Sequence, residues 1–122
     1  EVRRSNASYF KERMKNYPEI RLQKEVGSSS WFGFSMVLTG SLAGKRSEFV
    51  QKLRNADIEC RPIVAGNFTR NPVIKYMDYR IPEDLTNADE IHNQGLFIGN
   101  HSSNNNQQVD YFIDVLSEFI NE

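Results

Sequence analysis

The C-terminal segment has the most regular apolar pattern in the chain and therefore constrains the fold most. Apolar residues recur there at intervals of one and three, which places them on one face of an α-helix: Val109, Phe112, Ile113, Leu116, Phe119 and Ile120. Such a helix needs its apolar face covered, so we expect it to dock on a sheet. A second stripe over residues 49–56 predicts another amphipathic helix.

Four further stretches predict strands. Residues 20–26 alternate in polarity, and residues 31–38, after a loop at 27–30, suit a more buried strand. The alternating segment 58–64 contains Pro62, which cannot donate a ladder hydrogen bond, so we expect a strand at an edge or irregularity. Residues 96–98 form a short apolar run that suits a strand.

Helices separate these strands. The first runs to about Asn16, is stopped by Pro18 and begins without a capping residue. Thr86 and Asp89 resemble an N-terminal capping box, and Gly95 suits the C′ position of the same short helix. The order of elements predicts a two-layer α+β domain with a small, mainly antiparallel sheet.

Two stretches have no apolar period. Residues 65–82 mix turn formers with aromatics and predict a long loop with at most one helical turn, around residues 73–76. The run GNHSSNNNQQ, residues 99–108, is polar and of low complexity, which predicts an exposed loop. Long loops often carry function, which makes residues 65–82 a candidate region for a site.

Size and charge restrict the classes of protein that this chain can represent. Its 122 residues fit one domain, and a formal net charge of −1 disfavours nucleic acid and anionic membranes as partners. The sequence has no apolar run of membrane-spanning length and no signal-peptide core, which predicts a soluble, cytoplasmic protein. Its single cysteine, Cys60, excludes an intrachain disulfide, cannot by itself form a metal site and suits a small buried side chain.

Several side chains could bind a ligand. Arg61 and Arg70 bracket Gly66 and Asn67, a composition that suits a phosphate or sugar hydroxyls, although surface charge explains the arginines equally well. His101 follows a strand end and is either a solvated histidine or a contact to substrate or to a neighbouring domain.

Aromatic residues near these arginines allow base stacking as an alternative to a place in the core. Alternation puts Trp31 and Gly33 on one side of their strand and Phe32 and Phe34 on the other. Ser28–Ser30 lack a nucleophile elbow, and the glycines form no phosphate-binding motif. Reasoning from the residues alone therefore predicts no catalytic residue and no reaction.

Three runs carry a resemblance to a known family: SWFGFSMVL, IECRPIVAGNFTRNP and YRIPEDLTNADEIHNQGLFIGNH. In this order and at these intervals they resemble the C-terminal small domain of the DegT/DnrJ/EryC/StrS sugar aminotransferases. The SWFGF, AGN and DLTN runs are most similar to the nucleotide-sugar 3-dehydratase branch, which acts on NDP-4-keto-6-deoxyhexoses in deoxysugar biosynthesis. Asn67 stands where the family's aminotransferases usually have a histidine, which also favours dehydration.

The resemblance implies which residues face the substrate. The candidates are Arg61, Asn67, Phe68 and Arg70, together with Trp31, Phe32, Asn100 and His101, and none of them is expected to be the base. It implies a fold-type I parent that uses PLP or PMP as an electron sink to expel the C3 hydroxyl, with the cofactor bound upstream and none bound by this fragment.

The expected organisation is a truncated inter-domain helix at 1–19 followed by a C-terminal small domain at 20–122. The large PLP-binding domain of the family is expected to be absent from this chain. Partners implied for the parent are a nucleotide sugar, its own large domain and a second subunit. The isolated fragment is expected to be inactive, and either monomeric or weakly associated through its first helix. A nucleotide-sugar aminotransferase and a stand-alone binding module remain the alternatives.

Overall fold

The computed structural model describes residues 1–81 and 84–122, and these residues form helices and strands in alternation. The described helices are α1 (Val2–Met14), α2 (Arg46–Asn55), α3 (Thr86–Gln94) and α4 (Asn106–Asn121). The described strands are β1 (Ile20–Leu22), β2 (Gly33–Leu38), β3 (Cys60–Arg61) and β4 (Gly95–Gly99). None of the described helices combines the length and apolarity needed to cross a membrane.

The strands form one antiparallel sheet in the order β1-β2-β4-β3. Phe34 of β2 is aligned with Ile98 of β4, and Ile98 is aligned in turn with Cys60 of β3. These side chains belong to the buried core, where Phe10 of α1 stacks on Phe34 at 4.2 Å between ring centroids. The predicted α+β fold with a small antiparallel sheet is therefore confirmed.

Helix α4 completes the core. The ring centroid of Phe112 lies 5.9 Å from that of Phe10 in α1 and 6.3 Å from that of Phe49 in α2. The predicted apolar stripe is buried except for Ile120, which is partly buried against the same core. Helix α4 therefore packs against α1 and α2 and closes the core that they share with the sheet, as its pattern predicts.

Two strands are shorter than predicted for identifiable reasons. Strand β1 ends at Leu22, and Val26 is fully outside the core at 87% exposure. Strand β2 begins at Gly33 because Trp31 adopts a left-handed backbone conformation, with φ of 53°. The predicted alternation therefore fails, since Trp31 and Phe34 are both buried while Phe32 is exposed.

Strand β3 is also shorter than the predicted 58–64, with only two residues before Pro62. Its position at the end of the sheet confirms the predicted edge strand. Val64 follows with φ of 40°, a turn conformation that takes the chain away from the sheet.

The long loop contains more helical structure than predicted. Short 3₁₀ turns at Phe68–Arg70 and Pro72–Tyr76 replace the single expected turn. The side chains of Asn67 and Asn71 each accept a hydrogen bond from the backbone N–H two residues later, which stabilises both turns. The last predicted loop residue, Pro82, lies outside the described residues.

The predicted caps of α3 are wrong. Thr86 is the first helical residue, and its N–H donates to the Asp84 carboxylate rather than entering a capping box. Gly95 has φ of −86° and starts β4 directly, so it is not a left-handed C′ residue. A Cβ there would collide with the carbonyl oxygen of Ile91 and lie 2.8 Å from Ile63, which explains the glycine.

The predicted exposed loop at 99–108 is only partly correct. Helix α4 already begins at Asn106, and Asn100 and Asn105 are buried at 5% and 7% exposure. Asn100 bonds to the Trp31 carbonyl oxygen, and Asn105 bonds to Asn100 within the loop, which allows these amides to be buried, a compensation that composition alone does not reveal.

Candidate functional site

A surface cavity of about 540 Å³ lies beside the ends of β3 and β4 and the N-terminus of α4. It brings together four of the predicted substrate-side residues, Phe32, Arg61, Asn100 and His101. The other described lining residues are Glu59, Phe97, Gly99, Ser103, Asn104, Asn105 and Gln108. The cavity thus combines aromatic, charged and amide groups, as small-molecule sites do.

The rim of the cavity offers an aromatic surface and an ion pair. Phe32, directly before β2, is 73% exposed. The Arg61 guanidinium donates to the Glu59 carboxylate at 2.7 and 3.1 Å. Both partners are solvent-exposed, so the pair contributes little to stability and can exchange for an anionic ligand.

Asn100 anchors the loop that forms one wall. Its amide nitrogen donates to the carbonyl oxygens of Trp31 at 2.8 Å and Arg3 at 2.9 Å, and its oxygen accepts from Asn6 at 3.1 Å. The Asn6 amide also donates to the His101 carbonyl oxygen at 3.2 Å. Asn100 is therefore held by α1 and by the segment before β2, and it fixes the backbone that presents His101.

His101 itself is exposed. Its Nδ1 lies 2.9 Å from the hydroxyl oxygen of Ser103, so the ring is oriented by a local contact. Asn105 is buried behind this loop, with its amide nitrogen 3.5 Å from the Asn100 amide oxygen.

Three other predicted residues gather at a second location, against α3. The Asn67 amide nitrogen donates to Asp89 at 2.7 Å, and the Arg70 guanidinium contacts the same carboxylate at 2.7 Å. Arg70 also donates to Asn93 at 2.9 Å, and Phe68 is 45% exposed between them in sequence. Asn67, Phe68 and Arg70 are not among the described lining residues of the cavity.

Trp31 occupies a third position. Its ring is buried at 5% exposure, and the Lys11 ammonium lies 4.9 Å from the ring centroid. The ring therefore belongs to the buried core and does not present its face to solvent.

His92 is a residue that the sequence pattern did not single out. Its Nδ1 accepts a hydrogen bond from the Asn67 backbone N–H at 3.1 Å. The residue spacing on α3 could have indicated it, because Asp89, His92 and Asn93 share one helix face.

Cys60 is buried, as predicted for a small apolar side chain, and this burial raises the pKa of its thiol. Within residues 1–81 and 84–122, no group of three or more acidic, cysteine or histidine side chains is arranged to hold a metal ion.

Comparison with known proteins identifies the family. The model of the DegT/DnrJ/EryC1/StrS aminotransferase family matches residues 1–117, and the chain belongs to this family. GDP-4-keto-6-deoxy-D-mannose 3-dehydratase of Yersinia pseudotuberculosis is 45% identical over 119 residues, which are 97% of this chain and 30% of that enzyme. The chain therefore spans less than a third of the length of this curated relative.

Solved structures agree with this placement. The Escherichia coli GDP-4-keto-6-deoxy-D-mannose-3-dehydratase with bound hydrated PLP superposes with a TM-score of 0.90 at 44% identity, covering 94% of this chain and 30% of that one. A DegT DnrJ EryC1 StrS aminotransferase from Brucella abortus has a TM-score of 0.76 at 16% identity, covering 97% and 30%. This second likeness shows the shared fold alone.

Proposed function

We propose that this chain is the C-terminal small domain of a PLP- or PMP-dependent 3-dehydratase acting on GDP-4-keto-6-deoxymannose. The observation that carries the proposal is that relatives with the same fold differ widely in their sequence identity to this chain. Dehydratases of this substrate are 44–45% identical over nearly the whole chain, whereas the sugar aminotransferase from Micromonospora echinospora is 10% identical at a TM-score of 0.74. The same contrast favours GDP over other nucleotides, because a dTDP-sugar 3-dehydratase is only 29% identical.

In this proposal the cofactor belongs to a preceding large domain. Arg61 is the only cation other than histidine among the described lining residues of the cavity, so the lining can pair a guanidinium with one phosphate group, and we assign that role to the substrate. Residues 1–19, which contain α1, are proposed to lead from the large domain into this one.

The role proposed for the cavity is to cover and orient the nucleotide sugar. Exposed Phe32 offers a flat apolar surface for a base, and Arg61 can exchange Glu59 for a phosphate oxygen. The cluster of Asn67, Phe68 and Arg70, which packs against α3, is proposed as a second contact region for the same substrate.

The test is the activity of the protein translated from the complete reading frame that contains this chain. It is supplied with GDP-4-keto-6-deoxymannose, PLP and glutamate, and the sugar product is analysed by mass spectrometry. Loss of the C3 oxygen supports the proposal. A product that gains nitrogen and keeps the C3 hydroxyl supports the aminotransferase instead, and a reading frame that starts at this chain supports a stand-alone module.

Matched variants of the active protein test the cavity. Arg61→Ala is expected to raise KM at least about tenfold if it binds phosphate, because hydrogen bonds between charged groups contribute about 1.5–3 kcal/mol. Arg21→Ala is the control, since Arg21 is also an exposed, ion-paired arginine but pairs with Glu90 and is not among the described lining residues of the cavity. Equal KM values for the two variants would exclude Arg61 from the substrate site.

A further inference from the structure

The ring of His92 lies against the backbone of the loop that carries Asn67. Gly66 has φ of 57°, and a Cβ at this residue would lie 2.5 Å from the Nδ1 atom of His92 and 3.0 Å from its Cγ. Only a glycine allows this approach without displacing the ring. The contact therefore depends on both partners, the glycine in the loop and the imidazole on α3.

The hydrogen bond from Asn67 determines the protonation state of this imidazole. A backbone N–H can only donate, so Nδ1 must carry a lone pair where it lies 3.1 Å from the Asn67 nitrogen. His92 is therefore neutral in this arrangement, with its proton on Nε2. A doubly protonated ring would face the N–H with a second donor and lose the bond.

The charged groups around His92 are already paired with one another. Asp89, one turn before it on α3, contacts the Arg70 guanidinium at 2.7 Å, and Glu90 contacts Arg21 of β1 at 2.6 Å. The Asp89 carboxylate also accepts from the Asn67 side chain at 2.7 Å. Asn67 is thus held by two separate contacts, its side chain by Asp89 and its backbone by His92.

We propose that His92 is a positioning residue: as a neutral hydrogen-bond acceptor it sets the backbone of Asn67 and, through it, the orientation of Phe68 and Arg70. The importance of this loop for substrate rests on the proposed function, whereas the hydrogen bond itself does not. Without this acceptor the Asn67 N–H loses its hydrogen-bond partner, so the loop is loosened.

Amide hydrogen exchange of Asn67, followed by NMR on the 122-residue protein, tests this role. The informative variants are His92→Asn, whose side-chain oxygen supplies a replacement acceptor, and His92→Ala, which removes the acceptor. His101→Asn is the control, because it removes a histidine that contacts Ser103 instead of the loop.

The protection of the Asn67 amide, corrected for intrinsic exchange, is expected to be about threefold to tenfold higher in the unaltered protein than in His92→Ala, the range expected for one hydrogen bond. His92→Asn should retain most of this protection, and His101→Asn should behave like the parent. Equal protection in the unaltered protein and in His92→Ala, or equal protection in the Asn and Ala variants, would overturn the proposal.

The affinity for GDP-mannose of the protein from the complete reading frame separates this proposal from the proposed function. Weaker binding in His92→Ala, restored in His92→Asn, supports both. Absence of GDP-mannose binding to the unaltered protein counts against the proposed function, while the exchange measurements decide the role of His92 independently.

Discussion

Replacing Phe10 with alanine tests whether α1 is an integral part of this domain. Phe10 is 1% exposed, and its ring stacks on Phe34 at 4.2 Å with an interplanar angle of 7°. Truncation of a buried phenylalanine to alanine costs about 3–5 kcal/mol, a figure that includes the lost burial and the cavity that remains. The free energy of unfolding of a domain is only about 5–15 kcal/mol, so the loss should be large.

Urea denaturation measures this loss directly. With a urea dependence of about 2 kcal/mol per molar, Phe10→Ala should lower the unfolding midpoint by about 1.5–2.5 M. Phe32→Ala makes the same chemical change at a residue that is 73% exposed, and it should change the free energy of unfolding by no more than about 0.5 kcal/mol.

The two variants should separate stability from binding. Phe32→Ala is expected to weaken nucleotide-sugar binding in the active protein while leaving the fold intact. A loss below about 1 kcal/mol for Phe10→Ala would refute the reasoning, because it would mean that α1 does not unfold cooperatively with the sheet.

Two further predictions concern packing and the free thiol. Gly95→Ala should lower the free energy of unfolding by about 1–3 kcal/mol, because its Cβ would collide with the Ile91 carbonyl oxygen, whereas Gly99→Ala, with nothing within 4 Å, should be nearly neutral. Both values are measured by urea denaturation, and equal losses would contradict this account. Because burial raises the pKa of the Cys60 thiol, a disulfide reagent should react at higher pH in the folded protein than in urea, and equal rates in the two states would show that the thiol is accessible.

The family resemblance predicted more about function than the local chemistry of single residues did. The ordered SWFGF, AGN and DLTN runs predicted the family and the dehydratase branch, because short motifs in a fixed order and at fixed intervals are characteristic of one family. The same resemblance implied substrate contacts for Asn67 and Asn100. In the structure both amides are buried and bonded to other segments, to Asp89 and to the Trp31 carbonyl.

The sequence alone determined the helices and the class of the fold. The stripe in α4 and the strand segments depend on local spacing. Apolar residues that recur about every three and a half positions define the buried face of a helix, and apolar residues at every second position define the buried face of a strand. Pro62 likewise predicted an edge strand, because a missing N–H has the same consequence in any sheet.

Only the tertiary structure decided which polar groups meet. The turn at Trp31 that exposes Phe32, the burial of Asn100 and the contact between His92 and Asn67 all depend on segments distant in the chain. A side chain's hydrogen-bonding capacity is visible in the sequence, but its partner is not, because the partner is chosen by how the helices and strands pack.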